Sequence, residues 1–530
     1  MILSLLLAAI IVFSCVFLNR LAHKTGLPVL LTFIFLGMLF GSDGLGQISF
    51  EDYDFTEQIC STALIFIIFY GGFNTNWQQA RPIISKSALL STIGVILTAA
   101  MTGLFCFYAL KLGFLESMLI GAIISCTDAA SVFSILKSQK LGLKYNTASI
   151  LEVESGSNDP SAYMLTTIIV AIMLGRSSGS QVLYLTFAQI FFGLLFGFGI
   201  AYAALFIMRR AKFPTEGFDT AFIIAIALLS YALPSYLDGN GYLSCYIVGM
   251  VLGNSNIRNK VSFIHFFDGA TGLMQIFIFF LLGLLSFPSS LPKVFWPGIS
   301  IALFLTFIAR PLAIFSIMTP FKAPINQQLL ISFAGLRGAS SIVFAIVAVE
   351  ATQKTSHDIF HLIFFIVLFS ISFQGTFLPY VAKKLNMLDA NEDIFKTLNE
   401  YTENIPVQLI KLEITTEHPW LNKTIKEIQL PPTTLVVMII RNGEHLVPGG
   451  NTLLQLNDVL AISAPTFEDG QKMTISEQRI AQGSAHIGQT IAEFSPAAGE
   501  LVIMIKRGEK TIIPRGDTLI HESDILIKLA

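Results

Sequence analysis

Glu152, Glu154, Ser155, Asn158 and Asp159 sit in an otherwise apolar run from about Thr147 to Gly175, with Pro160 directly after them. Their carboxylate, hydroxyl and amide oxygens are hard donors, suited to a proton or a hard cation. Glu154, Ser155, Asn158 and Asp159 are spaced i, i+1, i+4, i+5, so a helix carries them on one side. The run is long enough to cross a bilayer, which takes roughly 20 apolar residues. Asp159 falls about 12 residues in, ~18 Å along a helix, close to the midplane. An ionisable group at that depth costs about 3 kcal/mol on insertion scales and is functional by default. Pro160 lacks an N–H and is expected to kink or interrupt the helix. A competing reading makes Asp159 an N-cap with Pro160 at N1, a helix start.

Other polar groups at membrane depth belong with this stretch. Thr127 and Asp128 lie midway along one apolar run, Arg310 precedes Pro311 in another, and Gly335-Leu336-Arg337-Gly338 interrupts a third. Two glycines around Arg337 weaken a helix there, and broken helices at membrane depth are tolerated where they line a cavity. The two interruptions are seven spans apart. An odd separation reverses the direction of crossing, as an inverted repeat requires, and matched interruptions point to a transporter's binding site. Asp128, Glu154 and Asp159 against Arg310 and Arg337 would cost on the order of 15 kcal/mol unpaired. Pairing two carboxylates with the two arginines leaves one over, able to hold a proton or a monovalent cation in turn. Asp128 and Arg337 read as neutralising the ends of broken helices. Glu152 lines a cytoplasmic funnel or is merely interfacial. Asp268 and His265 enter a later span from the same side, and His265 is a candidate pH sensor.

The elements that must position these groups are membrane spans. The chain has 530 residues, 53% hydrophobic and 13% charged, which is a multi-span membrane composition. Thirteen spans are expected, near 1–19, 27–41, 55–72, 83–110, 114–137, 147–175, 182–208, 218–237, 241–254, 262–286, 292–319, 325–350 and 357–382. The first reads as a retained span and not a cleaved signal peptide. Alternate loops carry the basic residues: Arg20 and Lys24, Arg81 and Lys86, Lys137 to Lys144, Arg209 to Lys212, Arg258 and Lys260, Lys322, Lys383 and Lys384. The opposite loops offer Lys111, Arg176, Lys293 and Lys354. The positive-inside rule then puts the amino terminus outside and everything after Lys384 in the cytoplasm. A net charge of −2 suggests no nucleic-acid partner, and the five cysteines read as buried hydrophobes.

After a linker at 385–404, a repeat appears at an offset of 66 residues. Arg441 returns as Arg507, Asp458 as Asp524, Pro448 as Pro514 and Thr424 as Thr490. Two small α+β modules are expected, at 405–465 and 466–530, with helices near 421–429 and 487–494. No G-x-G-x-x-G follows a strand there, and no nucleophile–base arrangement suggests an enzyme.

Thr127-Asp128, Glu154-Ser155 with Asn158-Asp159-Pro160, and Gly335-Leu336-Arg337-Gly338 together resemble the first monovalent cation:proton antiporter family over residues 1–384. The soluble part resembles RCK-C (TrkA-C) regulatory modules, a combination similar to bacterial potassium/proton antiporters; its tandem doubling departs from the simplest pattern. The resemblance implies an all-α polytopic domain of thirteen helices with inverted repeats and two crossed broken helices. It also implies a homodimer in the lipid bilayer, built through membrane and cytoplasmic parts, and an elevator-like shift of a six-helix core. It implies Asp159 as the exchange and cation site, with Thr127, Ser155 and Asn158 near the ion. It implies a Glu154–Arg310 pair, and Asp128 with Arg337 at the crossing. Asn158, where electrogenic relatives carry a second aspartate, implies electroneutral exchange. The expected function is exchange of K⁺, or alternatively Na⁺, for H⁺ across a bacterial inner membrane, with no covalent cofactor and a regulatory nucleotide or ion at the modules. A ligand-gated channel lacks a carbonyl-ring filter motif here, and a non-transporting receptor leaves a midplane acid unused.

Overall fold

The structure is a computed structural model. It describes the chain apart from residues 1–5, 7–8, 19–28, 139–140, 176–178, 211–215, 258, 353–356, 390–406, 417, 432–433, 442–443, 466–474, 495–500, 509, 513 and 530. Arg20, Lys24, Lys140, Arg176, Lys212, Arg258, Lys354 and most of the expected linker thus lie outside the described residues. The chain divides into two units, Met1–Phe395 and Lys396–Ala530.

The first unit is helical. Its helices are α1 Ala9–Leu18, α2 Val29–Phe40, α3 Tyr53–Asn74, α4 Ile84–Ala109, α5 Phe114–Ile123, α6 Ala129–Ser138 and α7 Thr147–Met173. Then follow α8 Gly179–Arg210, α9 Glu216–Tyr236, α10 Gly241–Gly253, α11 Lys260–Leu285, α12 Pro288–Met318, α13 Ile325–Phe333, α14 Ala339–Thr352 and α15 Ile359–Lys384. Among the described residues, seven helices are long and apolar enough to cross a membrane. At 27 residues α7 has the length as well, but it carries Glu152, Glu154 and Asp159.

α7 runs unbroken through Pro160. The expected interruption does not occur, and the helix-start reading of Asp159 falls with it. Proline removes one bond, to the Gly156 carbonyl, and packing on both sides holds the helix through the gap. The Pro160 carbonyl itself accepts the Asn240 amide at 2.7 Å. The breaks come where the glycines and Thr127-Asp128 are: α5 stops at Ile123 before α6, and α13 stops at Phe333 before α14. α2 and α11 cross closely enough that a Cβ on Gly37 would meet the Phe280 carbonyl, and one on Gly283 the Ile34 carbonyl.

After α15 the chain does not leave at once. Leu388 and Asp389 pair antiparallel with Leu143 and Gly142, just ahead of α7. Lys144 adds its N–H to the Met387 carbonyl at 2.9 Å and its Nζ to the Asn386 carbonyl at 3.1 Å.

The second unit holds two four-stranded antiparallel sheets. The first uses β1 Val407–Glu413, β2 Leu435–Arg441, β3 Glu444–Leu446 and β4 Val459–Pro465, in the order β1-β4-β2-β3. The second uses β5 Ile475–Arg479, β6 Leu501–Arg507, β7 Lys510–Ile512 and β8 Ile525–Leu529, in the order β5-β8-β6-β7. The sequence repeat is therefore a repeat of topology. The helices expected near 421–429 and 487–494 are absent among the described residues. These segments are turns whose backbone bonds across the chain: Ile425 N–H to Thr452 O at 3.1 Å, and Ile491 N–H to Thr518 O at 2.9 Å. Asn422, at φ 59°, stands outside helical geometry. The α+β expectation for the modules is corrected to β. In each, a fully buried aspartate takes a bidentate grip from an arginine, Asp458 from Arg441 and Asp524 from Arg507, with bonds of 2.8 Å.

Candidate functional site

The two interrupted helix pairs meet backbone to backbone: the Asp128 N–H donates to the Leu336 carbonyl at 2.8 Å. A side chain on Gly338 would collide with that of Asp128, and a Cβ on Gly335 would come 2.8 Å from Arg310 Nε. The glycines are there for close approach, beyond weakening a helix. Asp128 caps the helix that starts beside it. Its Oδ1 accepts the Ser131 N–H at 3.2 Å and its Oδ2 the Ser131 hydroxyl at 2.5 Å, at the N-terminus of α6.

Arg337 lies at the end of the other dipole. Its Nη1 donates to the Ser125 carbonyl at 2.9 Å and to the Cys126 carbonyl, just past the C-terminus of α5. Its backbone N–H donates to Ser370 Oγ at 3.0 Å, and Gln374 beyond it reaches the Phe333 carbonyl at 3.1 Å. Both lie in the π-helical stretch Ser370–Gly375 of α15, a distortion often found at functional sites. The charge arithmetic needs one correction here. Among the described residues, the intramembrane arginine–carboxylate pair is Arg310 with Glu154, 2.5 Å apart and 2% and 1% exposed. Arg337 is neutralised by carbonyls at a helix end and not by a carboxylate, because that end carries partial negative charge of its own. Arg310 follows a second π-helical stretch, Leu305–Ala309, which sets it opposite α7.

On the next turn of α7 the polar groups gather around Thr127. Ser155 Oγ donates to its carbonyl at 2.7 Å, and Asn158 Nδ2 to its hydroxyl at 2.6 Å. Asp159 is 8% exposed. Its Oδ2 accepts the Ser340 hydroxyl at 2.7 Å. Its Oδ1 is buried with no hydrogen-bond partner among the described residues, as is Asn158 Oδ1. No basic group pairs with Asp159 among the described residues.

A cavity of about 370 Å³ opens on this cluster. Thr127, Asp128, Glu152, Ser155, Asp159 and Ser340 line one wall, and Tyr70, Asn74, Asp268, Thr271 and Gln275 of α3 and α11 line the other. Asn158 is not in the lining and reaches the site through Thr127; Glu154, Arg310 and Arg337 stand behind it. His265 is exposed and outside the lining. Ser340 was missed as a site residue. The signal was available, a hydroxyl two residues past Gly338 on the broken span, but a serine alone does not announce which acid it faces. The chemistry on hand is oxygen ligation of one hard cation, or one proton, at Asp159.

Comparison with known proteins follows the same division of the chain. The family model described as "Sodium/hydrogen exchanger, transmembrane" matches residues 7–384. The TrkA-C domain model matches twice, at 409–466 and 475–527. The K(+)/H(+) antiporter NhaP of Alkalimonas amylolytica is 34% identical over 464 residues, covering 87% of this chain and 81% of that one. The K(+)/H(+) antiporter NhaP2 of Shewanella sp. (strain ANA-3) is 32% identical, covering 86% and 80%. The Na(+)/H(+) antiporter NhaS2 of Synechocystis sp. is 25% identical over 343 residues, 62% of each chain. The solved sodium proton antiporter MjNhaP1 from Methanocaldococcus jannaschii superposes with a TM-score of 0.64 at 23% identity, over 72% of this chain and 99% of that one, a likeness of fold.

Proposed function

We propose that this chain, which belongs to the sodium/hydrogen exchanger family, is an electroneutral antiporter exchanging K⁺ for H⁺. The observation that carries the reading is Asp159: a buried carboxylate with one oxygen held by Ser340 and the other unpartnered among the described residues. A proton and a cation compete for that acid, and each leaves when the other binds. Asn158 adds no second titrating charge, so one ion moves for one proton. K⁺ is preferred to Na⁺ because relatives named K(+)/H(+) antiporters match at 32–34% identity over 86–87% of this chain. Na⁺ stays as the second reading, favoured by the more distant NhaS2 relative.

The finer parts of the reading go with it. Residues 1–384 form a thirteen-span antiporter domain with inverted repeats, working as a homodimer in a bacterial inner membrane by an elevator-like shift. Its amino terminus is outside. Residues 385–404 link it to cytoplasmic modules at 405–465 and 466–530, which regulate exchange through an ion or nucleotide. Thr127, Ser155, Asn158 and Asp159 form the ion site, Glu152 its funnel, and Glu154, Arg310, Asp128 and Arg337 its frame. The test is a pH-gradient dye assay in proteoliposomes, with K⁺, Na⁺, Li⁺ and Rb⁺ added separately. Wild type should dissipate the gradient on K⁺ addition and Asp159→Asn should not; exchange retained in Asp159→Asn removes Asp159 from the mechanism.

A further inference from the structure

The cavity wall facing Asp159 is not inert. α11 presents Asp268, Thr271 and Gln275 at i, i+3 and i+7, and α7 presents Glu152, Ser155 and Asp159 with the same spacing. Each set covers about 10 Å of its helix. In both sets an acid lies nearest the helix start, and both helices are read as starting on the cytoplasmic side. Asp268 is exposed to the cavity, and the Tyr70 hydroxyl of α3 donates to its Oδ1. Tyr70 is held in turn by stacking on Phe267, with centroids 5.8 Å apart. Among the described residues no lysine or arginine lines the cavity. Low-dielectric walls strengthen the field of the acids that line it.

We propose that Asp268, oriented by Tyr70, forms with Glu152 across the cavity a second site for a hydrated monovalent cation, outlying Asp159. A volume of about 370 Å³ has room for a cation that keeps its water shell. The buried, half-unpartnered Asp159 in the same cavity gives that cation its destination. The proposal rests on the antiport reading for the direction of travel, but the site itself is a matter of equilibrium binding. A purely structural alternative has Tyr70 and Asp268 simply clasping α3 to α11.

The experiment has two arms on the full-length protein. In the first, thallium(I) binding to purified protein is measured by equilibrium dialysis. Asp159→Asn should keep bound thallium, and Asp159→Asn with Asp268→Asn should lose it. In the second, proteoliposomes are titrated with K⁺. Asp268→Asn should raise the half-saturating K⁺ concentration roughly three- to tenfold while the maximal rate stays within about twofold. Asp268→Glu should restore it, and high ionic strength set with a bulky, untransported cation should close the gap by screening. A structural clasp predicts no rescue by glutamate and no salt dependence. Absence of thallium from Asp159→Asn, or an unchanged half-saturation in Asp268→Asn, overturns the proposal. Wild-type liposomes that move no protons would sink the antiport reading instead, while the thallium arm would still decide the second site.

Discussion

Replacing Arg310 by methionine removes the partner of a carboxylate that is 1% exposed. Breaking a buried pair from one side leaves a bare charge and costs about 3–5 kcal/mol. Glu154→Gln, which strands the guanidinium, should cost about the same. The pair is supported thinly: one 2.5 Å bond joins it, while Glu154 Oε2 and Arg310 Nε have no partner among the described residues. Its own net worth is therefore small, and removing both charges should come back to within about 1 kcal/mol of wild type. The double-mutant cycle should report a coupling of about 3 kcal/mol or more. The assay is unfolding of purified protein in detergent, by heat and by denaturing detergent, on wild type, both single variants and Glu154→Gln/Arg310→Met. The double variant should also keep K⁺-evoked proton movement, since the acid proposed to exchange is Asp159. Additive losses in the cycle would refute the reasoning, as would a stable double variant without exchange, because Glu154 would then belong to the ion and not to the frame.

Asn158→Asp both adds a charge and removes the amide donor to Thr127, so transport should become voltage-sensitive and slower; an unaltered response to imposed membrane potential counts against the stoichiometry. Gly338→Ala forces a methyl into the Asp128 side chain and should lower the unfolding midpoint by about 1–3 kcal/mol equivalent. Gly199→Ala, with nothing within 4 Å of the new methyl, should be neutral or slightly stabilising in the same melt. In the modules, burial pushes the Asp458 carboxyl up, but the Arg441 hydrogen bond, the Gln455 amide and the Arg441 charge outweigh it and hold it below the usual range. Asp524 behaves likewise with Arg507 and the His521 amide. A lowered folded value means the stabilisation is fully present above the unfolded value of ~3.9 and is lost as pH falls through the folded one. Arg441→Ala should thus cost about 2 kcal/mol at pH 7 and progressively less in acid, read by protease sensitivity of the modules across pH.

The membrane site was legible because lipid makes polarity expensive: Asp159, Glu154 and Arg310 could be picked out by depth alone, and the structure brings Glu154 and Arg310 together. The interruptions at Thr127-Asp128 and Gly335–Gly338 were visible as glycines and polar groups where an apolar helix should continue. Pro160 does not interrupt α7 because a proline's cost is local, while the Asn240 amide that takes up its carbonyl comes from the start of α10, far along the chain. The count that paired both arginines with carboxylates misled because it omits the helix ends; the reading of Arg337 as neutralising such an end is the one its bonds to the Ser125 and Cys126 carbonyls match. The module helices were misread because the backbone of these segments is claimed by residues 27 positions on, Ile425 by Thr452 and Ile491 by Thr518, which a local reading does not see. Ser340 and Asp268 needed three dimensions, since hydroxyls and interfacial acids are common and only the wall they stand on distinguishes them.

The four-residue clasp between Gly142–Leu143 and Leu388–Asp389 fastens the root of the tail to the loop that leads into α7. The clasp lies nine residues ahead of Glu152 and sixteen ahead of Asp159, both on the helix that this loop begins.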